Sequence, residues 1–131
     1  MPVTWEIRDK ILVVTLYGTA GEEPADAILE GMADPQFRPG TSLLLDVRLA
    51  TDSPTSADIR RRTAWVASLQ PRGLNWRCSM VIGPRVHQYG LARMAATHLE
   101  FEGMEMEIFQ DMENAVAWLE RAEMPQTKTA R

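Results

Sequence analysis

Hydrophobic residues change period several times along this chain, and each change marks an element. Val3, Trp5 and Ile7 alternate with Thr4, Glu6 and Arg8, the period of two expected of a strand with one wet face. Asp9-Lys10 reads as a tight turn and Ile11 to Tyr17 as a second strand, which together predict an antiparallel hairpin. Gly18 to Gly21 breaks the pattern. A helix follows, with Pro24 in its first turn, Glu22 and Glu23 favourably placed for the helix dipole, and a stripe of Ala25, Ile28, Leu29 and Met32. Asp34-Pro35 and Pro39-Gly40 close it.

Leu43, Leu44 and Leu45 are continuous rather than alternating, as in a central strand covered on both faces. Asp46 and Arg48 stand at its carboxyl end, before the hydroxyl-rich stretch Thr51 to Ser56. Ser53 reads as an N-cap with Pro54 at the first helical position, and Ser56 as a second candidate cap. Ile59, Thr63, Val66 and Leu69 supply the stripe of the second helix, and Pro71 to Asn75 a connector. Arg77 to Ile82 is another core strand, ended by Gly83-Pro84. The third helix is expected from about Gln88 to Phe101, with Leu91, Met94, Ala95, His98 and Leu99 inward and Gly103 as terminator. Met104 to Phe109 alternates with one charged face, the mark of an edge strand. Asp111 caps a last helix with Met112, Ala115, Val116 and Leu119 inward.

The string is β-β-α-β-α-β-α-β-α. It predicts an α/β fold: a mostly parallel mixed sheet with an N-terminal hairpin and four helices, in one domain over residues 1–123, with 124–131 as a polar tail. Composition narrows the setting more than the chemistry. With 45% apolar and 24% charged residues, the balance is that of an ordinary globular protein. A net charge of −4 disfavours nucleic acid as a partner. The run Arg60-Arg-Arg62 does not reverse this, because successive helix positions point about 100° apart. One cysteine, Cys78, excludes an internal disulfide and suits a reducing cytoplasm. The start of the chain lacks the basic and apolar regions of a signal peptide, and no apolar run approaches the roughly 20 residues of a membrane span. A cytoplasmic protein is expected.

The strand Leu-Leu-Leu-Asp46-Val-Arg48, the run Tyr89-Gly-Leu-Ala-Arg93-Met94, the final helix Ala115-Val-Ala-Trp118-Leu119 and the order of elements resemble the SpoIIAA-like proteins. These are small STAS-related domains, also compared with CRAL-TRIO lipid carriers. The resemblance spans Trp5 to Leu119, and Tyr-Gly-Leu-Ala-Arg is its most specific piece. It implies an α/β domain without intrinsic catalysis. STAS-type antagonists of anti-sigma factors carry a phosphorylatable serine in an Asp-Ser-Ser-Gly turn after the central strand. Here the turn reads Asp52-Ser53-Pro54-Thr55, which keeps the Asp-Ser pair and replaces the rest. The CRAL-TRIO comparison implies an apolar cleft for a lipid-like ligand.

In a parallel sheet the carboxyl ends of the strands share one rim. That rim is expected to gather Asp46, Arg48, Ser53 and Ser56 from one crossover and Arg85, His87, Tyr89, Gly90 and Arg93 from the next. Two helix N-termini would aim free backbone donors at it, so a phosphate or carboxylate would be stabilised beside Arg48 and Arg85. The hydroxyl residues serve equally well as caps and turn formers. Asp46 is either a reacting carboxylate or a structural acceptor, and Arg93, one turn inside the third helix, lies within expected reach to pair with it. Gly90 marks either close packing against a strand or room for a ligand. No metal-binding, cofactor or nucleophile-elbow motif occurs, so neither metal nor cofactor is expected. The expected function is a binding or regulatory module for a protein partner or a small apolar or anionic ligand. The alternative is a small hydrolase using Asp46 with nearby hydroxyls. Trp65 and Trp76 fall off the core stripes, and with the edge strands they suggest a homodimer.

Overall fold

Asp9 turns the chain for the first time, with φ of 56°, a left-handed conformation that aspartate tolerates better than most residues. It joins β1 (Val3–Arg8) to β2 (Ile11–Gly18) as an antiparallel pair in which Arg8 faces Ile11. The computed structural model describes residues 3–19 and 23–121, so Glu22 and the 124–131 tail lie outside the described residues. After β2 come α1 (Glu23–Ala33), β3 (Thr41–Ala50), α2 (Ser56–Ala67), a short 3-10 turn (Gln70–Arg72), β4 (Leu74–Val81), α3 (Val86–Phe101), β5 (Glu105–Phe109) and α4 (Met112–Arg121). The α/β layout expected from the pattern is the one observed.

Strand order is sequential, β1-β2-β3-β4-β5, antiparallel at the first pair and parallel thereafter. Every βα crossover therefore moves the same way, and right-handed connections place α1, α2 and α3 on one face. The buried residues agree. Leu43, Cys78 and Met106 pack with Ile28, Ile59, Ala95 and Leu99 on that face. Ile11, Val13, Leu44 and Val81 pack with Ala115 and Leu119 of α4 on the other. The central strands are covered twice, which is why β3 reads as an unbroken apolar run.

Some local expectations shift. Leu29 is exposed while Ala27 and Gly31 are buried, because α1 lies tightly on β2: a Cβ at Gly31 would meet Leu12 Cδ1 at 2.5 Å. Strand β4 starts at Leu74, paired with Thr41, and its register then slips before Cys78. Within that irregularity Asn75 Oδ1 accepts the Arg77 N–H at 2.9 Å, and this local turn chemistry disguises the strand as a connector. Helix α3 begins at Val86, which puts His87 in its first turn rather than in a loop; Arg85 at the N-cap makes no side-chain cap, so no start signal exists there. Trp65 and Trp76 are half-buried, Trp76 beneath the Arg77 guanidinium at 4.8 Å, so neither supplies a bare interface.

Candidate functional site

Helix packing on the crowded face is uneven. α1 lies on β1 and β2, whereas α2 packs chiefly against α3. Among the described residues no side chain fills the space between α1 and α2 over the middle of the sheet, and a half-open cavity of about 350 Å³ remains there. Leu43, Leu45, Val47 and Ala50 of β3, with Cys78 and Met80 of β4, form its floor. Leu91, Ala92, Ala95 and Leu99 of α3 form one wall and Trp65 and Val66 of α2 another. Pro24, Ala25, Asp52, Pro54, Arg61 and Arg62 surround its open side. The small side chains on α3 matter most. Its buried face is Ala92, Ala95, Ala96 and Leu99, with Leu91, Met94 and His98 only half-buried, so the stripe facing the sheet is too thin to fill the gap.

The rim is held by backbone carbonyls and two long side chains. Gln88 Oε1 accepts the Gly83 N–H at 2.6 Å, while Gln88 Nε2 donates to the Val47 carbonyl at 2.6 Å. Arg85 donates from Nη2 to the Ala50 carbonyl at 2.6 Å. Together these pin the end of β3 to the start of α3 and fix one end of the cavity. Ser53 Oγ lies 3.2 Å from His87 Nε2, linking the two crossovers on the exposed surface. Ser53 is not the helix cap. Thr55 holds that place, accepting the Asp58 N–H at 3.1 Å while Asp58 Oδ2 accepts the Thr55 N–H at 3.0 Å. This backbone donor and the Thr55 hydroxyl hold the Asp58 carboxyl below its ordinary range. Ser56 is the exposed first residue of α2.

Asp46 and Arg48 do not join this group. The row Thr15, Asp46, Val81, Phe109 runs across the sheet on the α4 face, opposite the cavity and α3. Asp46, 7% exposed, accepts from Arg48 Nε at 2.9 Å and Arg48 Nη2 at 2.8 Å, a bidentate pair. That hydrogen bond to Asp46, outweighing desolvation, raises the Arg48 pKa, with Asp111 adding to it. The expected Arg93–Asp46 pair is therefore replaced by Arg48–Asp46, and Arg93 is exposed on α3. The expected gathering of nine residues breaks up: Asp46 and Arg48 lie on one face, Ser53, Ser56, Arg85, His87, Tyr89 and Gly90 around the starts of α2 and α3, and Arg93 two turns into α3. Gly90 is exposed, and a Cβ added there would meet nothing within 4 Å, so close packing is not its reason.

Cys78 sits on the cavity floor, and burial pushes its thiol up to about 12. It is an inert apolar surface rather than a nucleophile. Among the described residues no group of three or more His, Cys, Asp or Glu could hold a metal ion, and no helix is long and apolar enough to cross a membrane. No family model and no curated protein matches the sequence.

Proposed function

We propose that this chain is a non-enzymatic binding module of the SpoIIAA-like kind, and that its ligand is a small apolar molecule held between the sheet and helices α1 to α3. One observation carries the reading: a cavity of about 350 Å³, within the range of small-molecule sites, floored by aliphatic side chains, Met80 and an unreactive thiol. Neither Asp46 nor the Ser53–His87 pair lines it. Asp46 is occupied by Arg48 on the far face, and the Ser53–His87 pair is on the surface. Native mass spectrometry of the protein incubated with a cell lipid extract tests this. A non-covalent small-molecule adduct, lost in Ala95→Phe, is expected; absence of any adduct would refute it.

The hydrolase reading keeps one specific observation, the 3.2 Å contact between Ser53 Oγ and His87 Nε2. Turnover of p-nitrophenyl esters that disappears in Ser53→Ala would establish it. Equal background rates in the two proteins would dismiss it.

A further inference from the structure

The sheet has two edges, and they are built differently. β5 is five residues long and its only charged side chains are Glu105 and Glu107, so two copies meeting there would crowd four carboxylates together. β1 is the other edge, with no strand among the described residues on its outer side. It pairs with β2 in an unbroken register from Val3 to Arg8, with neither proline nor bulge in that span. A regular, unpaired row of backbone donors and acceptors is the kind of edge that accepts another strand.

The charges on β1 select the partner. Glu6 and Arg8 are exposed and stand opposite Val13 and Ile11, on the α4 side of the sheet. They pair within the strand at 2.7 Å, and α4 lies chiefly on β3, β4 and β5, so it does not cover them. In a two-fold antiparallel pairing opposed residues share a face, so the axis passes through a single residue. An axis at Glu6 sets two carboxylates against each other. An axis at Trp5 sets Glu6 against Thr4 and leaves Arg8 beyond the ladder. An axis at Ile7 sets Glu6 of each copy against Arg8 of the other and closes a ring of four alternating charges. Trp5 then stands at the end of the ladder, where its Nε1 donates to Glu30 of α1 at 3.1 Å and ties that helix to the strand.

We propose that a second copy of this chain docks on β1, antiparallel about a two-fold axis at Ile7, making one continuous sheet with five strands from each copy. The contact is isologous and closes at two. Its ladder is short, with Glu6, Ile7 and Arg8 as the directly opposed positions, so monomer and dimer exchange at micromolar concentrations.

Sedimentation equilibrium of the full chain and its charge-reversed variants tests this. Arg8→Glu and Glu6→Arg each turn two favourable opposed pairs into like-charge pairs, and each is expected to weaken dimerisation at least about tenfold. Mixed together, the two variants present only opposite charges to one another, and a heterodimer with Kd within about threefold of wild type is expected. An effect confined to the pair within one strand would not be repaired by mixing. Cysteines read the register in a Cys78→Ala background. Ile7→Cys is expected to oxidise to an intermolecular disulfide, because directly opposed Cα atoms stand about 4.5–5.5 Å apart. Thr4→Cys, about 20 Å from its counterpart, is expected to stay reduced. If Ile7→Cys does not fold by circular dichroism, the charge series decides alone. A monomer at every concentration up to about 1 mM, a mass that grows past two copies, or a Kd unchanged by either single reversal overturns the proposal. A mixture that stays monomeric, or a disulfide through Thr4→Cys, overturns the axis at Ile7.

Discussion

Replacing Ala95 by Leu asks whether the space beside α3 is open, because the two answers differ in sign. Ala95 is buried and lines the cavity wall. In a filled core three additional carbons would overpack the site and cost about 1–3 kcal/mol. Against an open cavity the same carbons gain burial, at most about 2.4 kcal/mol for three methylene-sized groups. The cavity is half-open, so roughly half of that is realised, and ordering a leucine side chain costs about 0.5–1 kcal/mol. The net expectation is stabilisation by up to about 1 kcal/mol, a rise in Tm of roughly 3–5 °C per kcal/mol for a chain of this size. Thermal and urea unfolding of wild type and Ala95→Leu, followed by circular dichroism, read it directly. A loss of 1 kcal/mol or more, with the urea dependence unchanged, would show that α3 lies on a filled core and that the cavity does not exist in solution.

Three other substitutions or conditions separate structural from functional residues. Thr55→Ala should cost about 1 kcal/mol by breaking the capping box, whereas Ser53→Ala should change stability by less than about 0.5 kcal/mol; urea unfolding of both distinguishes the true cap from its neighbour. Asp46→Asn removes half of a bidentate pair whose arginine is partly exposed, so a loss of about 1–2 kcal/mol is expected with the small-molecule adduct retained in native mass spectrometry; loss of the adduct would place Asp46 in the site after all. Cys78 sets a pH dependence. Its folded pKa lies near 12, above that of the unfolded thiol, so ionisation favours the unfolded chain: stability from this group is intact below about pH 8.5 and falls by about 1.4 kcal/mol per unit from there towards pH 12. Cys78→Ala should flatten that alkaline decline, and an identical decline in the variant would assign it elsewhere.

Much of this fold is legible in the order of residues. The alternation of Val3, Trp5 and Ile7 and the unbroken Leu43 to Leu45 report burial on one face and on two faces respectively, which is a direct consequence of the pleat. Boundaries are harder to read where the backbone is irregular, as at Leu74, or where a helix starts without a cap, as at Val86. Thr55 is readable in principle, since Thr55-Ser-Ala-Asp58 has capping-box spacing, but Pro54 draws the expected start of the helix towards Ser53. The site itself is hidden for a different reason. Whether Asp46 faces α3 or α4 depends on one step of strand register, and sequential strand order puts three helices on one side. The cavity arises because no described side chain bridges α1 and α2. Its trace in the sequence is the set Ala92, Ala95 and Ala96, side chains too small to reach across, together with Trp65, which lies off the core stripe because it forms a wall.

Isotope-filtered nuclear Overhauser spectra of the protein with the small molecule retained from a cell lipid extract locate the ligand most directly. Cross-peaks from the ligand to the methyl groups of Leu45, Val66 and Met80 are expected. Cross-peaks confined to the exposed apolar residues Leu49, Val86 and Phe101 would contradict an interior binding site.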